Sequence, residues 1–205
     1  MDRRTEADPR RLVLASANPG KLRELRELLA PLAFEVVPQS DFDVPVVEET
    51  GLTFVENAIL KARAAAQASR LPAVADDSGL VVDALGGAPG VRSARYAGPG
   101  ARDEDNVRKL LAELEGVQWD ARTACFYCSL AYLRHARDPV PVLCDARWEG
   151  RILEFPRGTG GFGYDPVFYV PAHDCSAAEL SPTAKNASSH RGQALRALVS
   201  RLDTL

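Results

Sequence analysis

Two hydrophobic periods share this chain, and their order along it restricts the fold more than any other feature. In the first third, short apolar runs alternate with helix-period segments. Residues 10–16 (RRLVLAS), the run AFEVVP and the run PAVAD read as strands. Between them, Leu22, Leu25, Leu28, Leu29 and Leu32 recur on one face, which predicts a helix over 21–32. Thr53-Phe-Val-Glu56 has the form of a capping box and opens a second helix through ENAILKARAAAQA. The period then changes. After a helix over 103–114, with Val107, Leu110, Leu111 and Leu114 facing inward, two long β segments follow at 122–133 and 139–148, joined hairpin-fashion across 134–138. A further strand pair is expected around 151–155 and 166–170, and a last helix over 189–202 with Leu195, Leu198, Val199 and Leu202 as its stripe. Alternation followed by β-rich sequence predicts an α/β protein with a mixed sheet in two lobes. The cleft between such lobes is the expected ligand site.

Composition narrows what that cleft takes. The 205 residues carry a net charge of −3 and a pI near 5.7, so no basic footprint for a nucleic acid polymer is present. No apolar run approaches the roughly 20 residues that span a membrane. The opening MDRRTEADPRR lacks an apolar h-region, which predicts no signal peptide, a disordered extension over 1–9 and a cytoplasmic protein. Four cysteines stand at 125, 128, 144 and 175. Cys125 and Cys128 have metal or redox spacing, but they lie in TACFYCSLAYL, a strand in which positions three apart point to opposite faces. They are expected to be core thiols.

Four stretches carry chemistry. Ser16-Ala17-Asn18-Pro19-Gly20-Lys21 lies between a strand and a helix, where unpaired backbone N–H groups and the helix dipole suit an anion. It is either a phosphate turn or a capped helix start; it is not a Walker A loop. Lys21 is one of only four lysines, with 61, 109 and 185, among 25 basic residues, so in this arginine-rich chain it is less easily filler. Gly158, Gly160 and Gly163 spell GxGxxG, but Asp165-Pro166 leads into β-like sequence rather than a helix, so a dinucleotide reading fails on context. What remains is a flexible loop presenting Phe162 and Tyr164 beside a carboxylate, suited to stacking on a planar base or packed inward as a hairpin. Ser188-Ser-His190-Arg191 puts two donors in the first turn of the last helix, the unfavourable end for a cation. Finally Asp76 and Asp77 end the apolar run PAVAD, while Glu48 and Glu49 follow another. Both pairs are expected at strand ends, and if the strands are neighbours the gathered carboxylates call for a cation such as Mg2+.

In order, SANPGK, EETGLTFVENAILKA, ADDSGLVVDALGGAPGVRSARYAG, GTGGFGYDP and SHRGQAL resemble the motifs of the inosine/xanthosine triphosphate pyrophosphatases. The resemblance covers residues 12–202. It implies a two-lobed α/β fold with an elongated mixed sheet, a homodimer, and Mg2+-dependent hydrolysis of deaminated purine nucleoside triphosphates. It implies further that Ser16, Ala17, Asn18, Pro19, Gly20 and Lys21 bind the triphosphate. Glu48, Glu49 and Asp77 would hold the metal, Asp77 would act as general base, and Ser78 would touch substrate. Phe162, Gly163, Tyr164 and Asp165 would form the base loop, with Lys185, His190 and Arg191 around the purine. The family's T-G-N opening is Ser16-Ala17-Asn18 here, which keeps the hydroxyl and the amide and leaves the contact at Ala17 to backbone.

Overall fold

The computed structural model describes residues 10–16 and 18–204, apart from the Pro19 side chain; the expected extension over 1–9 and Ala17 lie outside the described residues. The elements are β1 (Arg10–Leu14), α1 (Pro19–Leu29), β2 (Phe34–Pro38), α2 (Phe54–Ser69), β3 (Ala73–Val82), α3 (Asp103–Glu113), β4 (Thr123–Leu133), β5 (Val142–Ile152), β6 (Phe168–Val170), β7 (Cys175–Ser176), α4 (Pro182–Ser188) and α5 (His190–Leu202). The strands form one sheet in the order β2-β1-β3-β4-β5-β6-β7. β1 is parallel to β2 and to β3, and every later pairing is antiparallel. The mixed sheet expected from the change of period is therefore present, and its switch from parallel to antiparallel falls at β3.

Local chemistry starts each helix. Asn18 caps α1 by accepting from the Gly20 and Lys21 N–H groups at 2.8 and 3.3 Å, and Pro19, which has no N–H to leave unpaired, opens the first turn. Thr53 and Glu56 close the capping box of α2 as expected, with the Thr53 N–H donating to Glu56 at 2.9 Å.

Packing sorts the helices onto two faces. Ala58, Ala62, Ala65 and Ala66 form the inner stripe of α2, small enough to bring its backbone close over Val13, Ala75 and Ala131. The leucines of α1 and α5 (Leu25, Leu29, Leu195, Leu198) cover the opposite face over Leu12, Val74 and Leu130. The antiparallel half has its own core, in which Val107 and Leu110 of α3 meet Leu80, Phe126, Trp148 and Phe168.

Several boundaries differ from expectation. β5 starts at Val142 because Pro139 and Pro141 have no N–H for the ladder. Residues 151–155 are not a separate strand: Arg151 and Ile152 end β5 and pair with Tyr169 and Phe168. The hairpin connection is closed by the buried Asp138 carboxylate, which accepts from the Arg134 backbone N–H at 3.0 Å and from its guanidinium at 2.6 and 2.8 Å. Cys125 and Cys128 fall on opposite faces of β4, buried and in no disulfide. Among the described residues no helix is long and apolar enough to cross a membrane.

Candidate active site

The largest departure from the sequence reading concerns the acids. Asp76 and Asp77 do not terminate a strand; β3 runs straight through them to Val82, with Asp76 opposite Leu130 and Asp77 opposite Ser129 in unbroken register with β4. Neighbouring residues of a strand point to opposite faces, so the two carboxylates serve different clusters. The Glu48–Glu49 segment is no strand either. Val46 is fully exposed, and the loop is instead docked on α2 by Asn57, which accepts the Gly51 N–H at 2.8 Å.

Asp76 faces the α1–α5 side. It accepts two hydrogen bonds from Lys21 Nζ, at 2.8 and 2.7 Å, and lies 3.7 Å from Arg191 Nε. Burial by itself would raise its pKa, but Lys21 and then Arg191 outweigh that and hold it at about 2. Asp77 faces α2. It accepts from Lys61 Nζ at 2.9 Å and from Asn57 Nδ2 at 3.2 Å. Here burial prevails over Lys61, and with the Glu49 charge nearby the carboxyl titrates above its usual range. Glu49 reaches the same ammonium at 2.9 Å and Arg95 at 3.1 Å; against the effect of burial, these pairs hold it below the usual range. Lys61, Asn57 and Arg95 were not among the sequence candidates. Only the scarcity of lysine marked Lys61.

What unites the two faces is the end of β1. Its last ladder bond to β3 is the Ala15 N–H on Val74 O, at 2.8 Å. Beyond that point β3 keeps β4 on one side and has lost β1 on the other, just where β1 turns into the Ser16–Lys21 segment. β1 connects through α1 to β2 on one flank, and β2 returns through α2 to β3 on the other. This is a topological switch point, where open α/β sheets bind ligands. A polyanion lying along that edge reaches Lys21 from one face of the sheet and the Lys61 cluster from the other. Within the turn, Ser16 Oγ accepts the Asn18 N–H at 3.1 Å.

Alongside lies a cavity of about 230 Å3, lined by Ser78, Phe126, Tyr164, Lys185, His190 and Arg191 among others. The glycine loop forms one wall. It wraps around the buried Asp165, whose carboxylate accepts the Phe162 N–H at 2.8 Å and pairs with Lys185. A Cβ on Gly161 would lie 2.1 Å from that carboxylate, so the wrap needs glycine. Tyr164 is buried and donates to Ser93 O at 2.8 Å. Phe162 stays 58% exposed, with Lys185 Nζ 4.8 Å and the Arg191 guanidinium 5.9 Å from its ring centre. It is an aromatic face that a planar ligand can cover. The loop passes through one 3-10 turn, Asp165–Val167, into β6 and not into an α-helix, in keeping with the rejected dinucleotide reading.

His190 is the first residue of α5 and stacks on Phe126 at 5.0 Å with 11° between the rings. Burial, aided by the adjacent Arg191 cation, pushes its pKa down to about 3. It is therefore neutral, so of the two donors expected at that helix start only Arg191 is a cation. Among the described residues, His190 Nδ1 and Arg191 Nε are buried without a hydrogen-bond partner. Gly192 permits the arrangement: a Cβ there would lie 2.0 Å from the Asn186 carbonyl oxygen of α4. Gly192→Ala must push α4, with Lys185, away from α5. The expected result is a loss of about 1–3 kcal/mol, visible as a lowered melting temperature together with weaker substrate binding.

Of the sequence candidates, the structure brings together Lys21 with Arg191, Glu49 with Asp77, and the base-loop residues with Lys185 and His190. It does not bring in Glu48, whose side chain is exposed. Among the described residues no group of three or more His, Cys, Asp or Glu side chains could hold a metal ion. The pair Glu49 and Asp77 does fit a hard divalent ion. Two carboxylates already converge on one cation, the Lys61 ammonium, and Mg2+ takes one or two carboxylates and completes its shell with water and phosphate oxygens.

The Ham1 family profile matches residues 12–201. The chain belongs to the Ham1 family. A dITP/XTP pyrophosphatase of Thioalkalivibrio sulfidiphilus is 60% identical over 192 residues, covering 94% of this chain and 98% of that one. One from Vibrio parahaemolyticus is 55% identical over 193 residues, covering 94% and 96%. The solved structure of a HAM1 protein from Coxiella burnetii matches with a TM-score of 0.92 at 53% identity, over 95% of this chain and 99% of that one. The family resemblance carried by the five motifs and the α/β fold with its mixed sheet both hold.

Proposed function

We propose that this chain hydrolyses the deaminated purine nucleoside triphosphates ITP, dITP and XTP to the monophosphate and pyrophosphate, and so clears them from the nucleotide pool. The observation that carries the reading is the junction at the open edge of β3. There Ser78 lines a cavity rich in donors and aromatics, and the residue before it, Asp77, is a buried carboxylate on the other face of β3 whose pKa burial raises. The names of the relatives support the same chemistry.

In this reading Asp77 orients a water and takes its proton as the oxygen attacks the α-phosphorus. Lys21 and the Ser16–Lys21 backbone hold the polyphosphate, and Lys61 and Arg95 add positive charge on the opposite face of β3. Glu49 and Asp77 would hold a magnesium ion, with Glu48 exposed on the same loop. When bound, the ion neutralises charge growing on the leaving pyrophosphate. Phe162 stacks on the purine. Lys185, Arg191 and neutral His190 present N–H donors to a 6-oxo group, which adenine replaces with an amino donor. Leaving such donors unpaired costs about 1–3 kcal/mol each, which disfavours ATP.

Pyrophosphate release from ITP, XTP, dITP, GTP, ATP and dTTP, with Mg2+ and with the metal chelated, tests this reading. Release is expected from the first three, with Mg2+ alone. Equal rates with dTTP or GTP would refute the purine assignment, and undiminished release under chelation would refute the metal.

A further inference from the structure

We infer that Asp103, at the start of α3, is the positioning residue that latches the glycine loop over the base cavity and so sets affinity for the nucleobase. This inference rests on the pyrophosphatase reading given above. Besides the turn's own backbone bonds, from the Asp165 N–H to Phe162 O and from the Val167 N–H to Tyr164 O, three side-chain ties hold the 162–164 turn. Asp165 accepts the Phe162 N–H, Tyr164 OH donates to Ser93 O, and the Asp103 carboxylate accepts the Gly163 N–H at 2.6 Å. The first comes from within the loop's own segment. The second fixes Tyr164, which is already buried. Only the third of these crosses from a separate helix to the backbone directly behind the exposed Phe162.

The turn is also a thin wall. On its far side, against α3, lies a second cavity of about 450 Å3, and Asp103, Phe162 and Gly163 line both spaces. Val107, Leu111 and Pro156 help to line that second space, so an untethered turn has somewhere apolar to go. Its backbone is able to go there. Gly158, Gly161 and Gly163 all have positive φ (77°, 75° and 60°), and glycine crosses between such conformations at little cost. With the Asp103 bond made, Phe162 is held at the mouth of the base cavity. Without it, the turn samples the second cavity, and the stacking face is present for only part of the time.

Asp103 itself is exposed, and Arg102, not Asp103, is the cap residue of α3. Its carboxylate is therefore spared from capping and free to serve the loop. Its substitution also leaves the buried core intact.

Asp103→Ala and Asp103→Asn test the latch, the asparagine keeping an oxygen that accepts the Gly163 N–H while losing the charge. Asp103→Ala is expected to raise KM for ITP about tenfold, the size of one charge-assisted hydrogen bond, while kcat changes by less than about threefold. IMP binding measured by calorimetry should weaken by a similar factor. Asp103→Asn is expected to restore most of both, and the melting temperatures of the two variants should agree. An unchanged KM and IMP affinity in Asp103→Ala, or an asparagine variant as impaired as alanine, would overturn the latch. A wild-type chain that fails to hydrolyse ITP removes the pyrophosphatase reading instead, and the IMP titration then still judges Asp103.

Discussion

Asp77→Asn is expected to reduce pyrophosphate release from ITP by about 10²–10⁴-fold, the range for loss of a general base, while ITP still binds. The geometry separates the two effects. Asp77 shares Lys61 with Glu49, so removing its charge leaves that ammonium paired at 2.9 Å. The amide that replaces it still offers Lys61 an oxygen, and β3 keeps its register with β4. The fold should therefore survive, at a cost of about 1–3 kcal/mol because the new amide nitrogen faces the Asn57 amide nitrogen that donated to Asp77. What disappears is the capacity to accept a proton, from a carboxyl whose pKa burial had raised. Steady-state turnover beside a direct ITP binding measurement decides the matter. Turnover within threefold of wild type would remove Asp77 from the base role.

The neighbouring acid behaves in the opposite way. Asp76→Ala is expected to cost about 3–5 kcal/mol of stability, the usual result of stripping one partner from a buried ion pair. Asp76 is 5% exposed and stands between Lys21 and Arg191. Without it, two cations face each other in a half-dry space. For a chain of this length each kcal/mol lowers the melting temperature by about 2–4 °C, so a fall on the order of 10 °C should be seen. An added polyanion such as pyrophosphate should recover part of it, because Lys21 and Arg191 then regain a counterion. The pH dependence has a definite sign. The folded-state pKa is depressed from 3.8 to about 2, so the contribution is complete above pH 4 and is lost as the pH falls through about 2. The gap between wild type and variant should narrow over that window. An Asp76→Ala protein that melts with the wild type at neutral pH would show that the triad holds nothing together.

These two results depend on a feature that sequence reading misplaced. Two adjacent aspartates after an apolar run look like a strand end, because a buried charge without a partner is forbidden. The partners exist, but Lys21 stands 55 residues away from Asp76 in the chain and Lys61 stands 16 from Asp77, on opposite faces of the sheet. No local rule reveals them. Likewise Glu49 reaches Asp77 not through a paired strand but through a loop pinned by Asn57, which holds Gly51 with its oxygen and Asp77 with its amide nitrogen. α4 and β7 are too short to impose a period, and neither was legible.

Other features were plain from local chemistry. The Thr53–Glu56 capping box, the leucine stripe of α5 and the opposed faces of Cys125 and Cys128 follow from spacing alone, because each is settled within a few residues. The motifs also placed Phe162, Asp165, Lys185, His190 and Arg191 at one site, and the structure gathers them around one cavity. The existence of α1, α2, α3 and α5, the inward faces of α1, α3 and α5, and the family were thus determined by the sequence itself. The tertiary structure alone decided that Asp76 and Asp77 part to opposite sides of β3, that His190 is neutral, and that Asp103 reaches Gly163. Each of these is an electrostatic or hydrogen-bonding outcome set by burial and by groups distant in the chain, and none of the three exists until the sheet has assembled.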